Sequence, residues 1–135
     1  MKAIQLLTIL VIMCCTVRAQ IIDTDNHGTI GNVMGDGTIE NSNHAVKGYI
    51  TADGIIENIN HIPIGYITSD GTIENENCFV VGYVIPNGII ENKNHVILGY
   101  FLDGTIQNPN HEIIGNVTAV NEKWAAVVFF FLRFN

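Results

Sequence analysis

Apolar and polar side chains alternate in short runs along the middle of the chain, and the runs recur at a fixed interval. Thr38-Ile39-Glu40-Asn41 is one such run, and Val46-Lys47-Gly48-Tyr49-Ile50 follows it after an Asn-x-Asn-His segment. Alternation with a period of two predicts β-strands. Each repeat therefore predicts two strands of about five residues, a usual strand length.

The repeated phrase reads Gly-Thr-Ile-Glu-Asn-x-Asn-His, closed by Gly-Tyr-Ile, and it returns every seventeen residues. Its copies begin at Gly37, Gly54, Gly71 and Gly88, with a fifth copy, one residue short, at Gly104. Self-similarity at a fixed period indicates a repeat architecture in which neighbouring copies pack on each other. We expect one small all-β domain.

The connections between strands carry strong turn residues. Asp53-Gly54, Asp70-Gly71, Asn87-Gly88 and Asp103-Gly104 join successive repeats, and these dipeptides accept the positive φ of tight hairpins. The chain is thus expected to reverse at both ends of each repeat, which favours an antiparallel meander that can close on itself over a parallel β-helix.

A half-copy, Ile30-Gly31-Asn32-Val33, precedes the first full repeat and supplies only the second-strand phrase. Five first strands and six second strands make about eleven short antiparallel strands in all. The half-copy is expected either to complete the last hairpin or to pair the ring shut.

Tandem hairpins that read Gly-x-Ile, turn, Ile-Gly-Tyr-Ile resemble the β-flower proteins, and five copies are similar to the five-fold variety. The resemblance covers Asn26 to Thr118. It implies hairpin petals around a shallow, pseudo-five-fold barrel, and a fold rather than a function. The chain departs from the family's turn, in which glycine stands where this chain has histidine.

One apolar stripe is expected to face the barrel interior, as a repeated inward position requires. Its members are Ile39, Ile56, Ile73, Ile90 and Ile106 in the first strands, Ile50, Ile67, Val84, Phe101 and Val117 at the ends of the second strands, and Val46, Val80, Ile97 and Ile113 at their beginnings. A glycine at the centre of every second strand indicates a bulge or a close approach of another backbone.

The ends of the chain predict location. Residues 1–19 have a lysine, an apolar run from Ile4 to Cys15 and Val17-Arg18-Ala19, the pattern of a secretory signal peptide cleaved after Ala19. Residues 20–25 are interpreted as a linker, 26–118 as the repeat domain and 119–135 as an apolar tail. We therefore expect a secreted, extracellular protein.

Removal of the signal leaves four Lys or Arg against thirteen acidic residues, a net charge of −9. Nucleic acid is an improbable partner for so acidic a domain, because binding its backbone relies on Lys and Arg. One cysteine, Cys78, remains in the mature chain, so an internal disulfide is excluded.

Symmetry presents each repeated side chain as a ring. His44, His61, Cys78, His95 and His111 form the candidate metal ring, because histidine and cysteine bind zinc and copper. The favoured interpretation of this ring is structural, since His is enriched among the non-glycine residues with positive φ in turns. A pH-responsive surface is the third interpretation.

The other rings also have structural interpretations. Glu40, Glu57, Glu74, Glu91 and Gln107 alternate with the isoleucines; they form either a solvated strand face or a calcium site. Asn41, Asn58, Asn75, Asn92 and Asn108 are expected to bond the turn backbone. Tyr49, Tyr66, Tyr83 and Tyr100 are expected to pack across strands, with contact to a sugar or a membrane interface as the alternative.

The tail contains nine consecutive apolar residues, Trp124 to Leu132, too few to span a bilayer. They are expected to plug the barrel, to add a strand or to contact a membrane interface weakly. Asn116-Val117-Thr118 is a possible glycosylation sequon.

No nucleophile, base and orienting group converge in the sequence, so an enzyme is not expected and no cofactor is indicated. The main hypothesis is a non-catalytic binding or structural module that acts through its symmetric surface or its central barrel, with a lipid, glycan or protein as partner. The alternatives are a small cation-binding protein that uses the His/Cys or Glu rings, and a lipid-binding module.

Overall fold

The computed structural model describes residues 20–24, 28–117 and 121–132. The predicted signal peptide, and Thr118 of the sequon, lie outside these residues. The described residues form twelve strands and a short helical segment. The strands are β1 Gln20–Thr24, β2 Gly28–Val33, β3 Thr38–Asn41, β4 Val46–Ile50, β5 Ile55–Asn58, β6 Pro63–Ile67, β7 Thr72–Asn75, β8 Val80–Ile85, β9 Ile89–Asn92, β10 Ile97–Leu102, β11 Thr105–Gln107 and β12 Ile113–Val117. An α-helix, α1 Glu122–Ala126, continues directly into a π-helix, Val127–Phe131.

Each strand pairs antiparallel with its neighbours in sequence, and β1 closes the barrel by pairing with β12 as well as β2. The predicted all-β barrel of short antiparallel strands is confirmed, and the eleven strands predicted from the repeat are β2 to β12. The hairpins formed by the two strands of each repeat are here called petals, and the segment that joins the two strands is called the tip. Petals 2 to 6 are β3–β4, β5–β6, β7–β8, β9–β10 and β11–β12.

The segment interpreted as a linker, residues 20–25, instead contributes β1, and β1–β2 is petal 1. The sequence carries a faint copy of the repeat here, because Ile22-Asp23 and Asn26-His27 stand seventeen residues before Ile39-Glu40 and Asn43-His44. The half-copy is therefore the second strand of a diverged sixth hairpin, and its first strand is the one that shuts the ring.

Every petal contains the same register shift, a β-bulge in its second strand. In petal 2, Ile39 pairs with Gly48 whereas Glu40 pairs with Val46, so Lys47 is the extra residue. A bulge residue interrupts the two-residue alternation. The residue before the bulge, Val46 in petal 2, therefore lies on the same side of the sheet as Glu40, opposite to the side of Ile39. The corresponding shifts occur in all the other petals.

The bulge corrects part of the predicted core. The first-strand isoleucines and the residues that end the second strands are buried, as expected. The placement of Val46, Val80, Ile97 and Ile113 in the core was wrong: Val46, Ile97 and Ile113 are exposed and Val80 is half-buried. The bulge residues Ile64, Val81, Leu98 and Ile114 pack against the core in their place.

The central glycines of the second strands permit close approach of the next petal. A Cβ added to Gly65 would lie 2.7 Å from the carbonyl oxygen of Glu74, a separation that real Cβ atoms do not show. At Gly82 an added Cβ would also lie 2.5 Å from Phe131 Cε1. These glycines bring adjacent petals together and also leave room for the aromatic tail.

The tail fills the barrel. Ala125, Ala126, Val127 and Val128 are at most 2% exposed and belong to the same core as the strand isoleucines. Lys123 Nζ donates a hydrogen bond of 2.6 Å to the carbonyl oxygen of Ser69, which ties the start of the helix to an inter-petal turn. Of the three predictions for the tail, the plug agrees with the structure, because its apolar side chains pack in or against the barrel core. No helix in the described part of the chain is long and apolar enough to cross a membrane.

The glycines of the turns between petals have the expected positive φ, and so do Asn87 and Asp103, whereas Asp53 and Asp70 do not. Gly71 has a φ of 92°, and Asn87 and Gly88 have φ values of 77° and 78°, as tight hairpins require. In the turn before petal 4, the Thr68 hydroxyl and the Thr72 N–H donate to Asp70 Oδ1. These bonds hold the pKa of Asp70 below its ordinary value, the Thr68 hydroxyl having the larger effect.

Candidate functional site

The first asparagine of the tip bonds the tip backbone in petals 2 to 6. Asn58 Oδ1 accepts hydrogen bonds from the N–H groups of Asn60, at 2.8 Å, and Ile62, at 3.1 Å. The same pair of bonds occurs at Asn41, Asn75, Asn92 and Asn108. The predicted structural duty of the first asparagines is confirmed.

The residue after the second asparagine has a left-handed backbone in every described tip. The φ values of His44, His61, Cys78, His95 and His111 lie between 59° and 64°. This conformation is uncommon for residues other than glycine, and Asn, Asp and His are enriched in it. The predicted turn role of the His/Cys ring is confirmed, and it accounts for the substitution of histidine for the glycine of the family's turn.

Each of these histidines also contacts a side chain of its own first strand. His61 Nδ1 lies 2.8 Å from Glu57 Oε2, and His95 Nδ1 lies 2.8 Å from Glu91 Oε2. The contacts of His44 with Glu40, at 3.2 Å, and of His111 with Gln107, at 3.3 Å, are longer. The His and Glu rings, treated separately in the sequence, are therefore one set of pairs.

A tyrosine of the preceding petal stacks on the imidazole. The ring centroids of Tyr49 and His61 are 4.4 Å apart with an angle of 14° between the planes. Tyr83 and His95 are 4.7 Å apart at 7°, and Tyr100 and His111 are 4.4 Å apart at 18°. The sheet register places each tyrosine opposite the acidic or amide residue that its stacked histidine contacts, as in Tyr49 with Glu57.

We call each such cluster a seam, because it joins the second strand of one petal to the first strand and tip of the next. The clusters are Asn32–Glu40–His44, Tyr49–Glu57–His61, Tyr83–Glu91–His95 and Tyr100–Gln107–His111. Tyr66, Glu74 and Cys78 occupy the equivalent positions between petals 3 and 4, and we call this set a seam by its register alone. In the first seam a buried asparagine replaces tyrosine, and Asn32 Nδ2 lies 3.1 Å from His44 Nδ1. The seams assign the Tyr and Glu rings, which the sequence alone left without a definite role.

The seams do not form a metal centre. The His and Cys positions lie one to a petal, and no group of three His, Cys, Asp or Glu in residues 20–24, 28–117 and 121–132 is arranged to hold a metal ion. The candidate ligands His44, His61, Cys78, His95 and His111 are thus not brought together, nor are the glutamates brought together as a calcium site. Asn116, the predicted glycosylation site, is exposed on β12.

Pockets occur where the plug meets the petals. One, of about 320 Å³, lies between the Thr68-Ser69 turn and Lys123-Trp124. Another, of about 260 Å³, is lined mainly by aliphatic and aromatic side chains, including Ile64, Val81 and Phe131. Asp53, Ser69 and Lys123 line the first pocket, where Lys123 Nζ donates to the backbone carbonyl oxygen of Ser69. The barrel axis is occupied by the chain's own tail.

Among the described residues, the most exposed large apolar side chains lie at the tips of three consecutive petals. Ile59 and Ile62 in petal 3, Phe79 in petal 4 and Val96 in petal 5 are 56%, 56%, 69% and 57% exposed; we call this set the apolar rim. Petal 2 has Ala45 at the position of Phe79 and petal 6 has Glu112. The rim therefore occupies one side of an otherwise repetitive molecule.

The model of the 5-fold beta-flower protein family matches residues 19–133. The chain belongs to the 5-fold beta-flower family. The predicted resemblance is thus confirmed, and the match extends beyond Asn26 to Thr118 to include β1 and the plug of this beta-flower protein. Comparison with curated proteins and with solved structures finds no match.

Glycine substitutions at the tips are expected to distinguish the energetic cost of a positive φ from the energetic gain of ring stacking. Glycine takes a positive φ without strain, which favours Cys78→Gly by up to about 1 kcal/mol because Cys78 has no stack to lose. His95→Gly gains the same relief but loses a stack worth about 0.5–1.5 kcal/mol, so its free energy of unfolding is expected to stay near that of the wild type. Denaturant unfolding of both variants measures the difference. A gain as large for His95→Gly as for Cys78→Gly would mean that the seams add nothing to stability.

Proposed function

We propose that this beta-flower protein is a secreted, non-catalytic binding module whose contact surface is the apolar rim. The observation that carries the proposal is the exposure of Ile59, Ile62, Phe79 and Val96, by 56% or more, on adjacent petal tips. Contiguous exposed apolar side chains on a soluble protein are typical of interaction sites. Secretion is supported by the pattern of residues 1–19, and cleavage after Ala19 leaves β1 whole.

A binding role through the central barrel is less favoured, because Val127 and Val128 of the plug occupy the core. A role in cation binding through the rings is also less favoured, because the histidines are engaged in separate seams. The seams and the plug make contacts within the molecule, whereas the exposed rim side chains have no such packing role to explain them.

The partner is proposed to be the apolar surface of another protein. An apolar surface that binds an anionic membrane is typically accompanied by several Lys or Arg residues. The tips that carry the rim, residues 59–62, 76–79 and 93–96, have Lys93 as their one Lys or Arg, and Glu76 stands on the tip of Phe79. Phe79, flanked by aliphatic residues on the neighbouring tips, has the character of an interface anchor.

The test places a photo-crosslinking phenylalanine analogue at position 79, and in a control at position 102. Leu102 is 38% exposed and precedes the turn at the opposite end of petal 5. In the extracellular fluid of the cells that make the protein, we expect one discrete adduct from position 79, which Ile62→Ser with Val96→Ser abolishes, and none from position 102. In a sample of the purified protein alone, an adduct of twice the mass would identify a second copy of the chain as the partner. In a sample with phosphatidylcholine vesicles, a lipid adduct would show that position 79 contacts lipid. Equal labelling from both positions, lipid adducts alone, or no adduct would contradict the proposal.

A further inference from the structure

The seam between petals 3 and 4 lacks the ring that its neighbours have. Cys78 replaces histidine there, yet its φ of 60° is that of the other tips. Tyr66 and Glu74 remain paired across β6 and β7, as Tyr49 and Glu57 are paired across β4 and β5. The substitution therefore removes the imidazole and keeps the frame that receives it.

The neighbouring seams show which chemistry this frame accepts. In two of them a planar nitrogen ring lies 4.4 Å or 4.7 Å above a tyrosine and places Nδ1 2.8 Å from a glutamate oxygen. In the described part of the chain, no ring stacks on Tyr66 and no side chain donates a hydrogen bond to Glu74. The Cys78 thiol is exposed, and it has neither the planar area nor the strong N–H donor of an imidazole.

We propose that the Tyr66–Glu74–Cys78 seam binds a guanidinium group, namely an arginine side chain of the partner. A guanidinium is planar, stays charged, stacks on aromatic faces and forms paired hydrogen bonds with a carboxylate. The tyrosine face supplies the cation–π contact, and the net charge of −9 left by signal removal attracts cationic groups. The seam thus recognises the same two features, a flat nitrogen-bearing group and its N–H donor, that the sister seams satisfy within the chain.

The location relates this site to the apolar rim. Phe79 follows Cys78 directly, and Ile62 lies on the tip of the adjacent petal. The proposal rests on the proposed binding function and adds one element of partner chemistry, an arginine next to an apolar contact. It depends on side chains, Tyr66 and Glu74, that are not part of the rim.

The experiment titrates the full mature protein with N-acetyl-arginine amide, followed by amide chemical shifts, with N-acetyl-lysine amide as the matched cation. We expect saturable shifts centred on residues 66, 74 and 78 for arginine and at least about threefold weaker binding for lysine, which cannot stack or form a fork. Glu74→Gln is expected to weaken arginine binding about tenfold, because it removes the charge from the hydrogen-bond acceptor.

Two substitutions exchange the tip residues of neighbouring seams, so that the site is removed in one variant and created in the other. Cys78→His supplies the chain's own imidazole and is expected to weaken arginine binding at least about tenfold, while Cys78→Ser, the control for the thiol, keeps it. His95→Cys is expected to create a second arginine site at Tyr83 and Glu91. Unchanged binding by Cys78→His, no new site in His95→Cys, or equal affinity for lysine would overturn the proposal.

The small probe also separates this proposal from the function of the rim. The Ile62→Ser, Val96→Ser variant is expected to bind N-acetyl-arginine amide as the wild type does. If the protein without these two substitutions gives no crosslink from position 79 but still binds N-acetyl-arginine amide, only the rim proposal is contradicted. Crosslinking without arginine binding contradicts the seam alone.

Discussion

Val127→Asp is expected to unfold the protein at room temperature. Val127 is completely buried among the barrel isoleucines, and an unpaired carboxylate there costs several kcal/mol. A domain of this size has a total stability of about 5–15 kcal/mol, so the loss is a large part of the whole. Circular dichroism and thermal unfolding of the purified variant measure it.

Glu122→Ala is the control, because Glu122 is exposed in α1, the helix that leads directly into the π-helix of Val127. We expect it to change the free energy of unfolding by about 0.5 kcal/mol or less. If Val127→Asp kept the midpoint of thermal unfolding, the barrel would be stable without its plug, and the barrel interior would have to be reconsidered as a ligand site.

The position of the plug could not be predicted from the sequence pattern alone. Nine apolar residues indicate burial, but the same run is consistent with a strand, a plug or an interfacial segment. The choice depends on the space inside the barrel, and that space depends on small residues elsewhere. Gly82 and Gly99 leave room for the rings of Phe131 and Phe130, a contact between segments far apart in sequence.

The petals could be predicted because each of their signals is local. Alternation around Ile39, the Asp-Gly turns and the asparagine-bonded tips all act within a few residues. Petal 1 was missed because Thr24 and Gly28 replace the repeat's Asn and apolar residue, which hides the phrase. Its bulge between Ile22 and Asp23 identifies it as a petal.

The seams could be predicted only in part. The positive φ of the histidines follows from residue type. The stacking of Tyr49 on His61 does not, because these residues are twelve positions apart and meet only when two petals pair in one register. The repeat shows that all such pairs are equivalent, so one contact, once known, predicts the others and makes Cys78 the informative exception.

The β-bulge has the clearest energetic test, since it places two isoleucines of neighbouring strands in opposite environments. Ile90 is fully buried, whereas Ile97 is 37% exposed and pairs with Glu91. Ile90→Ala is expected to cost about 2–5 kcal/mol, the usual range for a core isoleucine. Ile97→Ala, the same chemical change, is expected to cost less, about 1 kcal/mol, because more than a third of Ile97 is already exposed to water.

Urea unfolding of the two variants decides between the bulged register and simple alternation. Alternation without a bulge places Ile97 on the same inward face as Gly99 and Phe101, and it then predicts similar losses for both variants. A large difference, with Leu98→Ala closer to Ile90→Ala, is the result expected from the bulge, because Leu98 packs against the core. Equal losses of unfolding free energy for Ile90→Ala and Ile97→Ala would mean that the beginning of the second strand also faces the barrel core.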